Sequence, residues 1–147
     1  MTQQLFEADR STISLDRVTV ADAMHPGVVT CPLETPLATV AWMMAVYRIH
    51  SVVVFRDDLE SQELWGVVSD LDLVAAASAG ELEDRTAGGT AVTPVVLVKP
   101  EDTLAHAAQL MSEHEITHLV VLGAELPHPI GILSTLDVAR VLGGVRP

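Results

Sequence analysis

Two hydroxyl–carboxylate pairs are the residues best placed to do chemistry: Ser69 with Asp72, and Ser134 with Asp137. Each closes the same pattern of a glycine, two branched apolar residues, a serine and an aspartate three further on. The copies read Gly66-Val67-Val68-Ser69-Asp70-Leu71-Asp72 and Gly131-Ile132-Leu133-Ser134-Thr135-Leu136-Asp137. An ionised carboxylate only accepts, and its two oxygens can take both hydrogens of a cis-diol in charge-assisted bonds. The serine falls where a buried strand runs into a helix, beside backbone N–H groups that lack intrahelical partners and attract small anions and hydroxyls. The pairs suit a sugar or a phosphate. Ser-x-x-Asp at such a junction is also an ordinary capping box, which needs no ligand. An aspartate turned back to cap its helix is not free to clamp a diol.

The elements that must position these pairs are themselves duplicated. Thr19-Val20-Ala21-Asp22 has the spacing of a helix start, with one turn through Met24 before His25-Pro26 stops it. Gly27 to Thr30 reads as a short strand. Thr35-Pro36 opens a helix, with the hydroxyl at the cap and proline in the first turn, and Leu37, Val40, Ala41 and Met44 mark its core face. Val52 to Phe55 is a strand, 56–63 a polar connection, Leu64 to Val68 the next strand, and a helix runs from about Asp70 to a stop at Gly80. The order then returns. Ala91-Val92-Thr93-Pro94 matches Ala23-Met24-His25-Pro26, and Val95 to Val98 matches the first strand. Leu104, Ala107, Ala108 and Met111 repeat the helix face, and Ile116 to Val121 matches Ile49 to Val54. The spacing predicts an α+β fold of two β-α-β-β-α repeats: a tail over 1–17, repeats over 18–80 and 90–147, and an exposed linker over 81–89. A unit with one sheet and two helices cannot close its own core, so the sheets are expected to pack on each other about a pseudo-twofold axis, with clefts where the repeats meet.

Bulk properties remove several function classes. The chain has 147 residues, with 20 acidic against 8 basic side chains and a net charge of −12. Nucleic acid and anionic membrane both require a cationic face, and a 3% aromatic content is too low for base-stacking platforms. Mean hydropathy is +0.37, yet no apolar run approaches the ~20 residues of a membrane span. The first ten residues lack the pattern of a secretory signal, and a lone cysteine, Cys31, excludes an internal disulfide, so a cytoplasmic protein is expected. No nucleophilic triad, phosphate-binding glycine loop or metal-ligand cluster stands out. His106, His114 and His118 are spread over a helix and a strand, and the expectation is no metal, no catalytic residues and no enzyme.

The duplicated Ala-x-x-Pro after a short helix, the Ile-His-Ser-Val-Val-Val strand and Gly-x-x-Ser-x-x-Asp together resemble the tandem CBS-domain pair, or Bateman module, over about residues 18–143. The resemblance implies a regulatory module that binds an adenosine-containing ligand, AMP, ADP, ATP or S-adenosylmethionine, between the repeats and modulates a partner protein. It implies ribose and phosphate contacts at Ser69, Asp72, Ser134 and Asp137. It implies adenine pockets at Met24, Gly27, Val29 and Ile49 and at Val92, Val95, Leu97 and Ile116. Phosphate contacts are implied at His50, Ser51, Thr117 and His118, with Arg140 and Arg48 as cations nearby. Each cleft is expected to join one repeat's adenine pocket to the other repeat's aspartate. The chain departs from phosphate-holding relatives, which often carry arginine where it has Leu71, Leu136, Ser51 and His118.

One helix carries a second apolar face of Trp42, Met43 and Val46, where its counterpart has His106, Gln109 and Glu113. Such a face on a surface helix implies a contact, either with the N-terminal segment or, as the resemblance implies, with a second copy in a homodimer. The competing reading is a dimeric interaction scaffold whose ligand sites have degenerated, favoured by the leucines and the acidic balance.

Overall fold

The computed structural model describes residues 14–58, 61–124 and 128–144. Most of the expected tail therefore lies outside the described residues. Its end, Leu15–Arg17, is a 3-10 turn whose Leu15 packs against the core.

Helix α1 (Val20–Ala23) is a single turn held by the predicted capping box, with Thr19 and Asp22 exchanging side-chain and backbone bonds of 3.3 Å. Strands β1 (His25–Pro26) and β2 (Thr30–Pro32), helix α2 (Leu37–Tyr47), strands β3 (Ser51–Asp58) and β4 (Ser61–Ser69) and helix α3 (Asp70–Ser78) follow. The second half gives α4 (Ala87–Thr90), β5 (Leu97–Val98), α5 (Leu104–His114), β6 (His118–Leu122), β7 (Pro129–Ser134) and α6 (Thr135–Leu142).

The strands form a sheet of order β2-β3-β4 and another of order β1-β7-β6-β5. Their long antiparallel pairs carry a register shift at equivalent places, after Val54 and after Val121, as an internal repeat requires. Alternation along each strand buries both faces. Val52, Val54 and Val68 face the helices of the first repeat, and Leu119, Val121 and Leu133 face those of the second. Val53, Val67, Val120 and Ile132 meet in a third cluster, the seam between the sheets. Strands covered on both faces read as unbroken apolar runs, which is why 52–55 is apolar throughout.

The repeats are closed by exchange. α1 lies in the core of the second repeat, with Val20 fully buried among Val98, Leu104 and Leu119, and its first N–H groups donate to Asp102 O and Pro100 O at 2.8 and 2.9 Å. α4 does the same for the first repeat. Ala87 is fully buried there, and the Ala87 and Gly88 N–H groups donate to Thr35 O and Leu33 O at 2.7 and 2.9 Å. The segment read as an exposed linker thus ends inside the fold, because Thr86 caps a helical turn through Gly89 N and Trp65 Nε1 donates to Gly88 O.

Three further local expectations shift. Proline, not Thr35, occupies the cap of α2; Pro36 offers no side-chain acceptor, and Leu37 N instead reaches across to Arg85 O at 3.0 Å. Of the stretch expected as a polar connection, 56–58 and 61–63 extend the β3–β4 ribbon, with exposed polar side chains at Arg56, Asp57, Gln62 and Glu63. The strands expected from Gly27 and from Val95 are short, at Thr30–Pro32 and Leu97–Val98, and so begin later than predicted.

The exchange explains the glycines of the repeated motif. A Cβ at Gly66 would stand 2.7 Å from Val92 O, and one at Gly131 would stand 2.6 Å from His25 O, so the crossing segment of the other repeat lies directly on each strand. Gly66→Ala and Gly131→Ala are each expected to cost about 1–3 kcal/mol, the range for overpacking a rigid contact. Gly143→Ala, at φ −78° with only ordinary contacts, is expected to be neutral or stabilising. Urea midpoints of the three variants check this.

Candidate functional site

Both serine–aspartate pairs stand at the strand-to-helix junctions, and both are capping boxes. At the start of α3, Asp72 Oδ2 accepts from Ser69 N at 2.8 Å and Ser69 Oγ at 3.0 Å, while Ser69 Oγ accepts from Asp72 N at 3.3 Å. The start of α6 repeats this with the same three distances between Ser134 and Asp137. These bonds satisfy N–H groups that the helix itself leaves unpaired. The capping alternative raised by the sequence is therefore realised, and one oxygen of each carboxylate is committed to it.

The other oxygen separates the repeats. Asp137 Oδ1 takes His25 Nδ1 at 2.9 Å and has Arg140 Nη1 at 3.8 Å, and its side chain is 1% exposed. That carboxylate is fully occupied. Asp72 is half-buried, and among the described residues none donates to its Oδ1. At the position of Arg140 the first repeat has Ala75, so no cation accompanies Asp72 from its own helix.

Each carboxylate borders a cleft at the seam. The first, about 150 Å³, is lined by Val67, Ser69, Leu71 and Asp72 from one repeat and by Val92, Pro94 to Val96 and Glu115 to His118 from the other. It joins the expected adenine-side residues Val92, Val95 and Ile116 to the opposite repeat's Ser69 and Asp72, and brings in Thr117 and His118. The second, about 200 Å³, is lined by Ala23, Met24, His25, Pro26, Asp137 and Arg140. Met24 thus meets Asp137 across the seam, but His25 spans the carboxylate that would face a ligand.

Several candidates line neither cleft. Gly27 N donates to Ile130 O at 2.7 Å, Val29 O accepts from Val53 N at 2.9 Å, and Ile49 packs against the core of the first repeat. Ser134 Oγ is spent on its cap, Ser51 pairs with Ser69 along the ribbon, and His50 Nδ1 bonds the exposed Asp70 Oδ2 at 3.2 Å. Leu97 faces a different cavity, beside Lys99 and Asp102. Glu115 and His25 are the additions. Glu115 ends α5 in the left-handed conformation at φ 52°, which turns the chain into the cleft. His25 was visible as the residue before proline in a repeated motif, with no sign of its partner.

His118 stands between the two junctions, its Nδ1 2.9 Å from Thr117 Oγ1. Burial pushes its pKa below the ordinary imidazole value. Asp70, Asp137 and Asp72 act in the opposite direction without overcoming it, and His50 adds to the depression. Cys31 is also buried, and burial raises its thiol pKa against a smaller opposing bond from Thr35. Among the described residues no three metal-ligating side chains come together, and no helix is long and apolar enough to cross a membrane.

Two exchanged repeats with a carboxylate at each seam cleft have a counterpart among known families. The family model for the CBS domain matches residues 20–79 and again 90–144. The chain belongs to the CBS-domain family. A CBS domain pair solved with 5′-methylthioadenosine and S-adenosyl-L-methionine superposes with a TM-score of 0.72 at 19% identity, over 86% of this chain and 97% of that one. The CBS domain of a bacterial CNNM/CorC family Mg2+ transporter in complex with ATP gives 0.71 at 18% identity, over 99% of both chains. At these identities the likeness is one of fold. Among curated proteins, hypoxic response protein 1 of Mycobacterium tuberculosis is 26% identical over 126 residues, 84% of this chain and 85% of that protein. Homoserine O-acetyltransferase of Methanosphaerula palustris is 26% identical over 130 residues, but the match spans only 25% of that protein's length.

The state of His118 gives the CBS pair a pH signature. Its folded pKa lies below the unfolded value of 6.5, so the folded state resists its protonation. The stability this contributes is fully present above pH 6.5 and is lost as the pH falls from there through the folded pKa. His118→Asn is expected to reduce the loss of unfolding free energy on acidification relative to the parent chain. Urea titrations at a series of pH values check it; equal slopes would contradict the assignment.

Proposed function

We propose that this CBS pair is a non-enzymatic, cytoplasmic regulatory module that binds an adenosine-containing ligand in its first cleft and alters a partner protein. The carrying observation is that cleft itself. It sets apolar residues of one repeat, Val92, Val95 and Ile116, against Ser69 and a half-buried Asp72 of the other. Branched side chains suit a purine face, and Asp72 Oδ1 keeps two acceptor sites for a ribose diol while Oδ2 caps the helix. Two CBS domains of like fold carry adenosine compounds, 5′-methylthioadenosine with S-adenosyl-L-methionine in one and ATP in the other. The cavity is below the ~300 Å³ of ordinary small-molecule clefts, so an occupant must spread its walls or stay partly outside. Its walls include several exposed residues, among them Val92, Pro94 and Glu115. Spreading a seam between interlocked repeats is how binding would reach a partner, to the extent that the ligand prefers one packing over the other.

A ligand-free scaffold is the second reading. It is favoured by the capping role of both aspartates and by His25 filling the second cleft. Calorimetric titration with AMP, ATP and S-adenosylmethionine separates the two. One binding event per chain is expected for at least one compound, weakened roughly tenfold or more by Asp72→Ala, the worth of a charge-assisted bond. Asp137→Ala is expected to leave that event in place, with thermal unfolding confirming that each variant is folded. No heat from any compound, or heat indifferent to Asp72→Ala, supports the scaffold instead.

Assembly as a homodimer is part of the same proposal. Trp42, Val46 and Tyr47 on α2 and Leu71 and Val74 on α3 are each more than half exposed, on helices that pack side by side. Leaving this much apolar surface in water is costly at ~25 cal/mol per Å². A CBS-containing protein of similar fold from bloom-forming cyanobacteria is described as hexameric. Met43, grouped with this face by the sequence, turns partly inward against the core. Trp42→Glu is expected to convert a dimer to a monomer in sedimentation velocity; an unchanged sedimentation coefficient would place the interface elsewhere.

A further inference from the structure

We propose that the first cleft selects adenosine compounds whose 5′ substituent is uncharged or cationic, a thioether or a sulfonium, and disfavours nucleotides. This rests on the adenosine reading above and adds to it a rule of charge.

The residues that line the cleft include two acidic ones, Asp72 and Glu115, and no lysine or arginine. A helix start normally offsets such charge by presenting free N–H groups to a phosphate. Here those donors are already used. Asp70 N donates to His50 O at 3.0 Å, Leu71 N to Asp70 Oδ1 at 2.9 Å, and Asp72 N to Ser69 Oγ at 3.3 Å. Two aspartates therefore cover the positive end of the α3 dipole. The imidazole in the wall, His118, is kept neutral by burial near pH 7 and adds no cation.

The second junction shows that the repeat does not impose this. Threonine stands at 135 where the first repeat has Asp70, and Arg140 stands where it has Ala75. Arg140 and His25 line the second cleft. Both differences run in one direction: the first cleft is the more acidic. A phosphate placed there would face like charge with no lysine or arginine in the lining to offset it, whereas a sulfonium would meet attraction. At this exposure each such pair is worth about tenfold in affinity at low salt and less as screening increases.

The test titrates the intact chain with 5′-methylthioadenosine, S-adenosylmethionine, AMP and ATP, at low salt and without divalent cations. The first two are expected to bind about tenfold or more tighter than AMP, with ATP weaker still. The gap is expected to shrink as salt rises and to narrow in Asp70→Thr and Ala75→Arg, which install the second repeat's residues. AMP or ATP binding as tightly as the thioether at low salt overturns the charge rule and leaves the adenosine reading intact. Silence from all four compounds removes that reading, and this inference with it.

Discussion

The constraint on which everything else depends is that neither repeat can bury its own sheet. Each lends a helical turn to the other, and the turns arrive fully buried: Val20 in the core of the second repeat, Ala87 in that of the first. Backbone bonds follow the apolar side chains across, so α1 is fixed by Asp102 O and Pro100 O and α4 by Thr35 O and Leu33 O. Because the lent segment must cross a strand of its host, the strand must be glycine at the crossing. The same crossing creates the clefts, since it brings the Ala-x-x-Pro segment of one repeat beside the helix start of the other.

A second economy governs the chemistry at those clefts. The helix starts need acceptors for their unpaired N–H groups, and Ser-x-x-Asp provides them with local bonds of 2.8 to 3.3 Å. What remains of each carboxylate is its other oxygen. Holding a carboxylate by one oxygen fixes its orientation at no cost to the other oxygen, so capping and binding compete only when that second oxygen is also taken. It is taken at Asp137, by His25 and Arg140, and without a donor at Asp72 among the described residues. The two halves of a nearly symmetric fold differ there at three positions: His25 against Thr93, Arg140 against Ala75 and Thr135 against Asp70.

His118 ties the halves together electrostatically. It lies on β6 opposite Ser134, and its titration responds to Asp72 and Asp137 alike. Burial is the largest influence on it and lowers the imidazole pKa.

The repeat, the order of its elements and the residues of the core faces were legible in the sequence, because periodicity and capping are encoded over a few residues. Leu37, Val40 and Met44, and Leu104, Ala107 and Met111, are buried where helical spacing puts them. The lining of the first cleft was legible in part, since Val92, Val95 and Ile116 line it together with Asp72, while Leu97 does not. The role of α4 was not, because Ala-Gly-Gly-Thr has weak helical preference and owes its structure to the core it enters. Nor was the pairing of His25 with Asp137, 112 positions apart in the chain's own numbering, 137 less 25. Local pattern placed both carboxylates at helix starts; only the folding of one repeat onto the other decided which of their oxygens found a second partner among the described residues.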